Sequence, residues 1–250
     1  MTTRHTLTHA DKVYRGNAFY GGYSPDGRRG VEQSHLYHRD YGAVAADDPD
    51  GLVTKTAFTS GVATVTVALT SGAALVSTAG AGVFDVPRNF VFHVSETPAN
   101  ATYTLFKITG VDEYGATMTD RLNGASANDT VSGLKAFKSI TKVNYTVTAA
   151  AICSGKFTVG SGPRLGLPFW IKNQGQVLGG YVSGLYSTGL DTVAPGTSQT
   201  ATETSAVGAK DVRGTYTFKN AYDASKRYGV LLTVDASTRN KAFGPVQCAT

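Results

Sequence analysis

From residue 60 onward the apolar side chains recur at every second position, and no stretch carries the three-to-four spacing of an amphipathic helix over three turns. A period of two is the signature of strands with one buried face. In "VATVTVALT" Val65, Val67 and Leu69 share a face against Thr64 and Thr66, and "RNFVFHVS" sets Phe90, Phe92 and Val94 against Asn89, Val91 and His93. "TYTLFKITG" reads as a central strand. "VDEYGATMTDRL" reads as a hairpin, because Gly115 can take the positive φ that a tight turn needs. In "KAFKSITKVNYTVTA" Phe137 is in register with Val143, Tyr145 and Val147 but not with Ile140, and a β-bulge near Ile140 restores one face. "GKFTVGSG" closes the series. Some seven short strands between residues 60 and 162, with Gly, Asn and Asp turns, predict an antiparallel Ig-like or jelly-roll-type β-sandwich.

Composition agrees: 33 Thr, 13 Tyr and 11 Phe favour pleated, half-buried strands, and only 16% of residues are charged. The chain is expected to divide into an extended arm over 1–56, a sandwich over 57–162, and a C-terminal β-element over 163–250 packed on it. In that last part "LPFWIK", "GTYTFK" and "YGVLLTV" are strand-like and "GTSQTATETSAVGAK" is a loop. Trp170, inside an apolar run, is expected in the core.

The net charge of +5 is uneven. Residues 130–190 contain no Asp or Glu but carry Lys135, Lys138, Lys142, Lys156, Arg164 and Lys172. Spaced in this way they suit the wet face of a sheet, and the longest basic run is two residues, so no nucleic-acid arm is indicated. The charge-free span 56–84 is broken by Ser, Thr and Gly and is not a membrane-spanning helix. "MTTRHTLTHADKVYRG" has no apolar run of the secretory kind, so synthesis in the cytoplasm is expected. Cys153 and Cys248 are too few for a disulfide framework, and spacing does not tell whether they pair.

No nucleophile elbow, phosphate loop or dinucleotide fingerprint occurs. Glu32, His35 and His38 recur at threes but lack a further ligand nearby, so no metal site is assigned. "DDPDG" at 47–51 reads as a turn, not a calcium loop, and His93 as a hydrogen-bonded strand residue. No catalytic residue, cofactor or metal is expected.

The N-terminal segment is different in kind. "GNAFYGGYSPDGRRG" at 16–30 holds three aromatics and no Val, Leu, Ile or Met, so it cannot bury itself. Tyr and Arg are enriched where one chain grips another. Composition therefore makes Tyr14, Phe19, Tyr20, Tyr23, Arg28, Arg29, Tyr37 and Tyr41 the expected partner-binding residues of an interface arm.

The stretches "ITGVDEYGATMTDRLNG", "GLKAFKSITKV", "KFTVGSG", "RLGLPF" and "DVRGTYTF", within residues 85–220, are similar to Ig-like modules of virion structural proteins of tailed bacteriophages. The resemblance is most like a capsid decoration (cement) protein. It implies a non-enzymatic homo-oligomer, a trimer, on the phage head surface, whose partner is the major capsid protein, with no direct contact to nucleic acid or membrane. Two other virion roles fit the same resemblance. One is a tail-associated receptor- or carbohydrate-binding module, with Trp170 as the stacking candidate; the other is a tail-tube or connector protein.

Overall fold

The computed structural model describes residues 34–58, 64–69, 75–78, 81–95, 104–124, 128–147, 155–187, 191–196 and 206–235. Its strands, in chain order, are β1 (Ser34–Ala43), β2 (Val53–Ala57), β3 (Thr64–Val67), β4 (Leu75–Thr78), β5 (Ala81–Ser95), β6 (Thr104–Val111), β7 (Thr117–Asn123) and β8 (Thr130–Ser132). There follow β9 (Phe137–Val147), β10 (Lys156–Gly166), β11 (Val177–Val182), β12 (Leu185–Tyr186), β13 (Thr192–Pro195), β14 (Gly214–Thr217) and β15 (Arg227–Asp235). Among the described residues the one helical piece is a 3-10 turn at Gln174–Gln176. The protein is all-β and its strand pairs are antiparallel, as the alternation predicts.

An eleven-stranded sheet runs β13-β14-β10-β5-β9-β6-β7, with β2 on β10, β3 on β9, and β4 and β8 on β5. A four-stranded sheet runs β1-β15-β11-β12. The large sheet encloses a core of rings: Phe58, Phe92, Phe106, Tyr145 and Phe157 are buried, with Phe92 and Phe106 centroids 3.9 Å apart and Phe58 and Phe157 4.7 Å apart. Each such ring contributes about 1.5–3 kcal/mol by leaving water. The second core lies between the small sheet and the β10/β14 region, where Tyr41, Leu165, Tyr216, Phe218, Tyr228, Val230 and Leu232 pack together.

The irregularities expected from sequence have clear geometry. Gly115 adopts φ +82 in the β6–β7 turn. On β9, Ile140 pairs Gly110 and Lys142 pairs Thr109, so Thr141 is the extra residue and Ile140 comes onto the face of Val143 and Tyr145; Phe137, before the bulge, is buried in the same core. The "DDPDG" turn docks on β10: Ser161 donates to Asp48 O at 2.7 Å, and a Cβ on Gly160 would overlap the Asp48 carbonyl. His93 Nδ1 lies 3.0 Å from Thr130 Oγ1.

Other expectations need correction. Asn89, on the face opposite Phe90 and Phe92, is buried as well: its Nδ2 donates to Gly133 O and its Oδ1 accepts from Arg164 N, both at 2.9 Å. It fills the ladder gap where β10 skips from Ser161 to Leu165. Lys135 is also buried, with Nζ donating to Thr119 O at 2.5 Å, and Lys138 Nζ donates to Phe84 O and Asp85 O at 2.8 Å. Two of the six spaced bases are therefore turned inward to satisfy carbonyls. Trp170 is half-buried, not a core residue, and its ring edge occupies the space a Cβ on Gly196 would need.

Within the span expected as arm, β1 and β2 pair within the two sheets. The C-terminal part is divided, with β13 and β14 extending the large sheet while β11, β12 and β15 join β1.

Candidate functional site

The first described strand, β1, is an edge strand of the small sheet. Alternation sends Tyr37, Arg39 and Tyr41 toward the body and His38 and Asp40 away from it. Tyr41 is 7% exposed and its hydroxyl donates to Gly166 O at 2.7 Å. Burial holds its phenol well above the ordinary range, so it remains a donor. Tyr37 meets Phe169 edge-on, centroids 4.6 Å apart at 81°. Both tyrosines, expected to contact another chain, are engaged within this one, and Tyr41 is a core residue. Tyr14, Phe19, Tyr20, Tyr23, Arg28 and Arg29 lie outside the described residues.

Between the two tyrosines Arg39 forms an ion pair with Glu113, which sits in the β6–β7 turn, and its guanidinium stands 5.2 Å from the Tyr41 ring. Burial opposes the Arg39 charge, but Glu113 and Tyr41 outweigh it and raise its pKa. The turn that carries Glu113 is itself fixed. Asp112 Oδ1 accepts from Tyr114 N and Ala116 N at 2.9 and 2.8 Å, and Oδ2 accepts from Arg213 at 2.7 Å. Arg213 also stands 4.7 Å from the Tyr114 ring, whose hydroxyl donates to Pro168 O at 2.8 Å. Burial pushes the Tyr114 phenol up to about 12. Just past β1, buried Arg88 donates to Ala45 O at 3.1 Å and to Asp85 Oδ2 at 2.9 Å. β1 and the residues just after it are thus anchored at several points to the large sheet.

The outer side of the small sheet is open. His38, Asp40, Tyr181, Ser183, Arg227 and Leu231 help to line a cleft of about 750 Å³. "VLGGYVSGLY" builds one wall: β11 and β12 are joined by Ser183 and Gly184, with φ of +50 and +80. Two positive φ values in a two-residue link are the hairpin geometry that follows strand twist. The alternation and the Ser-Gly pair were the available sequence signal for this wall, which the reading of the C-terminal part passed over. Past the turn Leu185 and Tyr186 are 75% and 57% exposed.

No protein-family model and no curated protein sequence matches the chain. Solved structures that it resembles include that of infectious bursal disease virus strain Gx, at 10% identity, covering 90% of this chain and 48% of that one, with a TM-score of 0.22. Another is the infectious bursal disease virus VP2 subviral particle, at 9% identity, covering 92% and 50%, again with a TM-score of 0.22. The chain spans about half the length of these two. Scores this low do not establish shared architecture.

Chemically the site is a mount and a surface. Among the described residues no three His, Cys, Asp or Glu side chains are grouped to hold a metal, and no helix is long and apolar enough to cross a membrane. Among the described residues, buried Arg213 is held by Asp112, Arg88 by Asp85, and Lys135 by the Thr119 carbonyl.

Proposed function

We propose that this chain is a non-enzymatic structural protein of a tailed-phage virion, a decoration (cement) protein of the head. Its N-terminal segment lies along neighbouring major capsid proteins and holds them together. The observation that carries this reading is the mounting of β1. A segment rich in Tyr and Arg runs directly into an edge strand that Tyr41, Arg39 and Tyr37 fasten to the body. A tether that bears tension needs such a fixed root, whereas a solvated tail does not.

In this reading Tyr14, Phe19, Tyr20, Tyr23, Arg28 and Arg29 make the capsid contacts, and Tyr37 and Tyr41 serve as the root. Each contact is modest. Several on one tether act at high effective concentration, and three tethers in a trimer multiply the effect. Clamping of this kind resists pressure from packaged DNA with no bond made or broken.

The test is removal of residues 1–33, which leaves β1 and its pairing intact. The shortened protein is expected to keep its circular dichroism spectrum and to lose binding to capsids in a sedimentation assay. Equal binding by the two forms would end the tether reading. Quantitative mass analysis of virions is a second check: a copy number that matches the head lattice supports decoration, and a number that matches the tail or portal does not.

A further inference from the structure

The cleft on the outer side of the small sheet is a separate feature, independent of how the N-terminal segment is used. A row of paired residues crosses all four strands, Asp40 with Gly229, Gly229 with Tyr181, and Tyr181 with Tyr186, and its first three members line the cleft. Gly229 keeps the row low, since a Cβ there would stand 2.6 Å from His38 Nε2. Tyr181 is the pivot of a ring series, 6.3 Å from His38 at 81° and 5.6 Å from Tyr186 at 82°. Rings at these angles meet edge to face, and His38 with Tyr181 forms the aromatic wall of the cleft.

At one end the wall meets a polar fork. Arg227 Nη2 donates to Asp40 Oδ2 at 2.6 Å, with the side chains 71% and 44% exposed. The pair sums to zero charge; Asp40 Oδ1 also accepts from Gly42 N at 2.8 Å, and the exposed fork keeps further guanidinium donors beside the second lone pairs of the carboxylate oxygens. A vicinal diol matches that arrangement, with one hydroxyl donating to Asp40 and its neighbour accepting from Arg227.

Three ligand classes fit less well. A strand-adding peptide needs unpaired backbone at a sheet edge, and this cleft lies across a sheet face. A nucleic acid or an acidic glycan needs net positive charge, which the fork lacks. The volume of about 750 Å³ falls among small-ligand clefts, which span about 300–1,000 Å³. We propose that the outer face of the small sheet binds a neutral oligosaccharide, with a pyranose ring against Tyr181 and a hydroxyl pair in the Asp40–Arg227 fork.

The experiment is calorimetric titration of the full chain with maltohexaose, cellohexaose, mannohexaose and chitohexaose. Binding to at least one is expected. Tyr181→Ala and Arg227→Ala should each weaken it at least tenfold, a change of about 1.4 kcal/mol, while Tyr181→Phe stays close to wild type. Arg227 is exposed, so if Tyr181→Ala fails to fold, Arg227→Ala decides by the same criterion. The proposal is overturned if none of the four sugars binds, or if binding survives loss of the ring or the guanidinium. It is equally overturned if Tyr181→Ala converts a dimer to a monomer in sedimentation while no sugar binds, because the face then belongs to a second copy.

Discussion

Arg213 donates to Asp112 across 101 positions of sequence, Nη1 to Oδ2 at 2.7 Å, with both side chains buried. Asp112 meanwhile organises the β6–β7 turn that presents Glu113 to Arg39. One buried pair therefore supports the hairpin, and the hairpin supports the root of the N-terminal segment. Replacing Arg213 by Met leaves the Asp112 carboxylate without its cation in a dry site. The expected loss of stability is about 3–5 kcal/mol. Urea denaturation reads it as a lower midpoint with an unchanged slope. A loss under about 1 kcal/mol would mean that water reaches the pair.

The Arg39–Glu113 pair is one-fifth exposed on each side, and its worth is best isolated by a double-mutant cycle with Arg39→Met and Glu113→Gln. A coupling of about 1 kcal/mol is expected, shrinking between low and high salt because the pair is only partly shielded from solvent. Mechanical unfolding offers a sharper readout. If β1 is the root of a tether, pulling from the N-terminus should release β1 at lower force in either variant, while pulling from the C-terminus should show no change.

Much of this architecture could be read before folding. The β6–β7 turn was visible in Gly115, and the Thr141 bulge in the mismatch of phase between Ile140 and Val143, because both are local consequences of a period of two. The placement of β1 was not. Its inward face carries Arg39 between two tyrosines, and what makes that face tolerable is Glu113, far along the chain. Local periodicity cannot announce a remote counter-charge, so a charged and aromatic strand read as arm. The same blindness hid Lys135 and Asn89, whose burial depends on carbonyls and amides of other strands. The outer cleft was half legible: the Ser183–Gly184 hairpin has a local signal, but the meeting of Asp40 with Arg227 across 187 positions has none.

Gly160 faces the backbone of the 48–50 turn, so a side chain there must displace a carbonyl that Ser161 N–H uses. Gly160→Ala is expected to cost about 1–3 kcal/mol through overpacking. Gly115→Ala, where φ is +82 and the space is open, is expected to cost about 1–2 kcal/mol through backbone strain alone. Hydrogen exchange separates the two causes. The Ser161 amide should lose protection in Gly160→Ala and keep it in Gly115→Ala, and equal protection in both would refute the docking of the turn on β10.

Asp120 supplies a pH test of the large sheet. It is fully buried, Oδ2 accepts from Leu134 N at 3.1 Å, and Oδ1 has no hydrogen-bond partner among the described residues. Burial raises its pKa from 3.8 to about 6, with Lys135 opposing the shift. Between pH 4 and 6 the folded chain therefore holds a proton that the unfolded chain has released. Stability from this group is present below about pH 4 and is lost as pH rises through about 6. A shift of about two units corresponds to roughly 3 kcal/mol. Asp120→Asn keeps an oxygen for the Leu134 amide and has nothing to titrate. The stability of wild type relative to this variant should fall by roughly 3 kcal/mol between about pH 3.5 and 7, measured by urea denaturation at each pH. A difference that stays flat over that range would show that Asp120 ionises as freely inside the fold as outside it, and that Lys135 balances its burial in full.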